Sequence, residues 1–61
     1  MIGLKIKVIR TKKGFRQNDF CEMINITQSH FSQIENGHLD PSLKLLRVIA
    51  DKLDVELKEL I

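Results

Sequence analysis

The chain has 61 residues, 43% hydrophobic and 30% charged, which is one domain at most and a globular rather than a disordered one. One cysteine and two histidines exclude an internal disulfide framework and supply no metal-ligand spacing. No apolar run nears the roughly 20 residues of a membrane span and residues 1–7 make no signal peptide, so the chain reads as cytoplasmic.

Residues 2–13 form the first predicted helix. Ile2, Ile6 and Ile9 give its buried stripe, with Arg10 beside them. Gly14 stops it and Phe15 turns back into the core. Leu4 and Val8 lie on another side, either as scattered surface residues, which need no explanation, or as cover for another element. The net charge of +2 is too small to announce a nucleic-acid ligand, but its distribution is informative. Residues 1–20 carry Lys5, Lys7, Arg10, Lys12, Lys13 and Arg16 against Asp19, whereas residues 51–61 hold Asp51, Asp54, Glu56 and Glu59 against Lys52 and Lys58. The basic half therefore borders the segment that follows it.

That segment, QNDFCEMINITQSHFSQIENG over residues 17–37, organises the chain. Its first helix, residues 17–24, buries Phe20, Cys21 and Ile24. Asn25 stands at the reversal because asparagine tolerates the left-handed conformation. Ile26 plugs the turn into the core and Thr27 caps the second helix, residues 28–36, which ends at Gly37. Phe31 and Ile34 mark the inward side of this second helix. Gln28, Ser29, Ser32, Gln33 and Asn36 fall opposite them, without a formal charge. A merely solvated face would carry Lys and Glu, which are better helix formers than Ser or Asn. Groups that both donate and accept suit base edges. Two helices joined this way make a helix-turn-helix.

Asp40 and Pro41 set an extended step before Ser42, an N-cap for a fourth helix over residues 42–53. Leu43, Leu45, Leu46, Val48, Ile49, Ala50 and Leu53 make that helix apolar almost all round, which predicts a central element buried on most sides. Asp54 is expected to cap a short fifth helix over residues 55–61. Cys21 reads as a small buried hydrophobe with nothing basic placed to activate it. No glycine-rich phosphate loop, nucleophile–base pair or carboxylate pocket is evident, so neither an enzyme nor a cofactor is expected.

These spaced motifs resemble the helix-turn-helix of the Cro/cI-type, or XRE, family of phage and bacterial transcriptional regulators. The flanks IGLKIKVIRTKKGF and LDPSLKLLRVIADKLDVELKEL match that family's first, fourth and fifth helices. The chain departs from the family where Cys21 replaces a common Ala and Asn25 a common Gly, both compatible in size and conformation. The resemblance implies an all-α, lambda-repressor-like bundle of about five helices that binds double-stranded DNA. It implies base contacts from Gln28, Ser29 and Gln33, with Ser32 at the margin, and phosphate contacts from Gln17 and Asn36. Arg16, Lys12 and Lys13 are expected to touch the DNA backbone without sequence preference. Glu35 falls about 40° from Phe31 on the helical wheel, towards the body of the protein. Matching positions in the family often pair Arg with Glu, so Arg10 and Glu35 are expected to tie the first helix to the third. The other reading is a protein-interaction module whose helix-turn-helix no longer reads bases.

A single helix covers few base pairs, so a homodimer on a pseudo-palindromic operator is expected. Leu57, Leu60 and Ile61 are the candidates for its surface, because with Val55 they exceed what one short helix can bury inward.

Overall fold

Each helix of the chain ends in the same way, with one left-handed residue. In the computed structural model, which describes residues 1–61, the helices are α1 (Ile2–Lys12), α2 (Gln17–Ile24), α3 (Gln28–Glu35) and α4 (Leu43–Leu53), followed by a single 3-10 turn at Leu57–Glu59. The left-handed residues are Gly14, Asn25, Gly37 and Asp54. Past each, an amide bonds five residues back: Phe15 to the Arg10 carbonyl, Ile26 to Cys21, His38 to Gln33 and Val55 to Ala50, at 2.9–3.1 Å. These bonds satisfy carbonyls that the helix end would otherwise orphan. Three of the four returning residues, Phe15, Ile26 and Val55, pack against the core, so each stop also folds the chain back onto it.

Helix starts are capped where the sequence predicts. The Thr27 hydroxyl accepts from the His30 amide and the Ser42 hydroxyl from the Leu45 amide, both at 3.1 Å. α1 packs on α3 and α4, and α2 packs on the same two helices. The ring so formed closes around Phe20 and Phe31, both fully buried with ring centroids 5.5 Å apart. Phe15 covers Phe20 at the same distance, and Ile6, Ile34, Ile49, Leu53 and Leu60 fill the rest.

Three expectations are corrected. The chain has four α-helices rather than about five, because residues after Asp54 make only one 3-10 turn. Asp54 is the left-handed end of α4 and caps nothing beyond it; Glu56 takes that role, in a reciprocal capping box with Glu59. So few residues return too little packing to offset helix nucleation, whereas three residues per turn bring Leu57 and Leu60 to the same side. α4 is likewise not buried all round. It buries Leu46, Ile49, Ala50 and Leu53 on one face and leaves Leu43 exposed, with Leu45 and Val48 half-buried at the margins.

Gly3 sets the distance between α1 and α3. A Cβ there would collide with the carbonyl oxygen of Ile34 and crowd that of Glu35. Only glycine lets α1 sit this close to the last turn of α3.

Candidate nucleic-acid interface

Glu35, on the inward side of α3, is 3% exposed, and Arg10, on α1, is 7% exposed. Burial of either charge alone would be costly, so each must find its partners inside the protein. Arg10 donates from Nε to Glu35 Oε2 at 2.7 Å and from Nη2 to Oε1 at 3.3 Å. Its third nitrogen, Nη1, donates to the Phe15 carbonyl at 2.6 Å, which ties the α1–α2 turn to the same pair. The two-pronged geometry fixes the rotation of α3 about its own axis.

Glu35 has one more contact, and it leads to the surface. Gln17 Nε2, at the first position of α2, donates to Glu35 Oε1 at 2.9 Å. A carboxylate can only accept, so the amide NH2 of Gln17 must face Glu35 and its Oε1 must face away. That oxygen accepts from Gln28 Nε2, at the first position of α3, at 3.1 Å. A chain of polarised bonds therefore runs from Arg10 through Glu35 and Gln17 to Gln28. Gln28 keeps its Oε1 and one N–H for an outside partner, and Gln17 keeps one N–H.

The remaining sequence-predicted residues divide into three groups. Ser29 and Gln33 are exposed, with side chains that make no hydrogen bond within the chain, and share the outer face of α3 with exposed Gln28. Ser32 is half-buried and its hydroxyl accepts from Asn36 Nδ2 at 3.3 Å, so these two residues are joined at the C-terminal end of α3. Lys12 ends α1, Lys13 caps it and Arg16 stands at the N-cap of α2, all exposed. They flank the start of α2, where the amides of Gln17, Asn18 and Asp19 have no intrahelical acceptor. A helix start with free amides and neighbouring cations is attractive to phosphate.

The dimer candidates separate too. Ile61 is 58% exposed and Leu57 is half-buried, but Leu60 is fully buried in the chain's own core and is withdrawn as an interface residue. Cys21 is buried as expected. Burial pushes its thiol up from the usual value, the Glu35 carboxylate adds to the rise, and the Arg10 guanidinium opposes it. The link between Gln17 and Gln28 was not legible from either helix alone, since periodicity assigns faces but not how two helices rotate against each other.

Two helices joined at a left-handed Asn25, the second held in rotation from behind and polar in front, define a helix-turn-helix domain. The chain belongs to the Cro/cI-type (XRE) helix-turn-helix family, whose model, described as Helix-turn-helix, matches residues 6–60. It is similar to the HTH-type transcriptional regulator SlrR of Bacillus subtilis (strain 168), at 38% identity over 61 residues, 98% of this chain and 40% of SlrR. It is also similar to the HTH-type transcriptional regulator SinR of the same organism, at 34% identity over 62 aligned positions, 100% of this chain and 56% of SinR. The immunity repressor protein of Bacillus phage phi105 is 28% identical over 60 residues, 98% of this chain and 42% of the repressor. The chain thus spans about half the length of these relatives. No solved structure matches it.

Proposed function

We propose that this domain binds double-stranded DNA and reads its sequence with α3 in the major groove, as the DNA-binding part of a transcriptional repressor or related regulator. The observation that carries this reading is the outer face of α3. Gln28, Ser29 and Gln33 are exposed and uncharged there, while Gln28 is oriented from inside by Gln17. The free acceptor and free donor of Gln28 match the N6 and N7 edge of adenine, and Gln33 is free to make the same kind of contact. Gln17, Asn36, Lys12, Lys13 and Arg16 hold the phosphates and so fix register. The names of the relatives, transcriptional regulators and an immunity repressor, agree with this reading.

No helix is long and apolar enough to cross a membrane, in keeping with a regulator that meets DNA in the cytoplasm. Two copies bind together on a pseudo-palindrome, each reading one half-site, with half-site centres roughly 34–36 Å apart. Titration of random-sequence duplex DNA at two salt concentrations tests the first step. The expected result is measurable nonspecific binding that weakens steeply as salt rises, through release of counterions. A chain that ignores duplex DNA at both concentrations is instead a protein-interaction module.

A further inference from the structure

The outward face of α1 is apolar along its middle and positive along both edges. Leu4 and Val8 are 53% and 48% exposed and, four residues apart, lie one above the other on the helix. Thr11 continues the stripe: its hydroxyl donates back to the Lys7 carbonyl at 2.7 Å, which leaves its methyl group to the surface. With Lys7 and Lys12 these residues line a shallow depression of about 370 Å3. α1 contains four cationic residues and no acid. Arg10 is committed to Glu35 and Lys5 donates to the Ile61 carbonyl at 2.8 Å. Lys7 and Lys12 have no counterion, since the ion pairs of the chain are Arg10–Glu35 and Lys58–Glu56. A solvated helix face more often mixes both signs of charge and keeps its aliphatic residues inward.

Position adds to composition. The buried side of α1, Gly3, Ile6 and Arg10, faces the last turn of α3. Leu4 and Val8 therefore point away from α3, and the polar face of α3 points away from α1. A partner on Leu4 and Val8 and a duplex on α3 would therefore occupy different faces and share only Lys12, at the end of α1.

We infer that this face of α1 docks an acidic amphipathic helix of another protein. Aliphatic side chains of the partner cover Leu4 and Val8, and carboxylates on its two flanks pair with Lys7 and Lys12. Charge selects this occupant over a second copy of the chain, because joining two α1 faces would set the lysines of one against those of the other. Helix-in-groove docking needs only a few anchors at i, i+3 or i+4 and i+7, and the stripe from Leu4 to Thr11 provides that spacing. Binding of this size is weak, and flanking charge decides which partners are accepted.

The probe is a synthetic helical peptide with leucines at i, i+3, i+4 and i+7 and glutamates on both flanks, beside a shuffled peptide of the same composition. Each is titrated into isotope-labelled domain while backbone amide shifts are followed. The expected result is saturable change at Leu4, Lys7, Val8 and Thr11 with the amides of Gln28, Ser29 and Gln33 unmoved. The double variant Leu4→Ser/Val8→Ser should weaken binding by about tenfold or more, and Lys7→Glu should weaken it and flatten its salt dependence. Lys12 stays unaltered in the test because it is also a proposed phosphate contact. All three substitutions lie on exposed positions, and thermal melts should show every variant folded. Leu4→Ser/Val8→Ser should also bind random duplex DNA as the parent chain does, whereas Lys7→Glu, a charge reversal, is read on the peptide alone. Equal binding of the shuffled peptide overturns the inference. So do shifts centred on α3, capture of the domain by anionic vesicles but not by the peptide, or self-association through α1 without any peptide.

Discussion

At the scale of single residues, the strongest constraint is that Arg10 and Glu35 are both buried and both charged. Each satisfies the other, and the second Glu35 oxygen also fixes Gln17, so the pair stabilises orientation more than it adds net free energy. Arg10→Met and Glu35→Met should each destabilise the fold by about 3–5 kcal/mol, because each strands a buried charge. The double variant should lose clearly less than the sum of the two. Additive losses in denaturant unfolding would mean that the two residues are independent. Cys21 gives a second test. Its thiol is held above the usual value of 9.0 by burial. Below that value folded and unfolded chains both keep the proton, and the thiol has no effect on stability. As pH rises past it the unfolded chain ionises first, so stability falls until the folded thiol ionises as well. Urea midpoints measured from neutral to alkaline pH should therefore fall more for the parent chain than for Cys21→Ala. Identical slopes would show that burial does not perturb the thiol.

At the scale of helices, close packing decides what substitution can do. Gly3→Ala should gain roughly 0.5–1 kcal/mol from helix propensity and lose about 1–3 kcal/mol from overpacking. The loss should lie at the upper end, because the obstacle is the backbone carbonyl of Ile34, which cannot rotate away. The expected net change is a destabilisation of about 2 kcal/mol, with DNA affinity falling alongside as α3 is displaced. A Gly3→Ala chain as stable as the parent would mean that α1 can move off α3 freely. Much of this level was legible in the sequence. The stops at Gly14, Asn25 and Gly37, the caps Thr27 and Ser42, and the core around Phe20 and Phe31 all follow from local chemistry and period. Two features were not legible. Gly3 reads as an ordinary helical glycine until the end of α3 is known to lie against it. The segment after Asp54 has the apolar content of a helix, but it folds as one 3-10 turn because Asp54 is spent ending α4 and a turn suffices to bury Leu60.

At the scale of the domain as a unit, these 61 residues present one α3, and one helix reads too few base pairs to select a site in a genome. Pairing of two copies on DNA is the remedy proposed here, and the burial of Leu60 narrows its surface to Ile61 with the edges of Leu57 and Val55. So small a patch is expected to give at most a weak dimer, and we propose that the domain is monomeric at micromolar concentration and pairs on the operator. Ile61→Asp should abolish cooperative binding to a full site while leaving half-site affinity unchanged, read by footprinting across a concentration series. Protection of one asymmetric half-site at saturation by the parent chain would exclude self-pairing. The base-reading candidates were legible because an uncharged polar face is unusual on an exposed helix, whereas the support that Gln28 receives from Gln17 depends on the packing of two helices. Everything proposed for DNA binding depends on α3 reading sequence. Selection of bound duplexes from a random pool, run with the parent chain and with Gln33→Ala, tests it most directly. The parent should enrich a pseudo-palindrome with half-sites about one helical turn apart. Gln33→Ala should lose preference at one or two base pairs in each half, at a cost of about 1–3 kcal/mol on the best site. An unenriched pool, or an enriched site that Gln33→Ala selects unchanged, would contradict the assignment of this face to DNA.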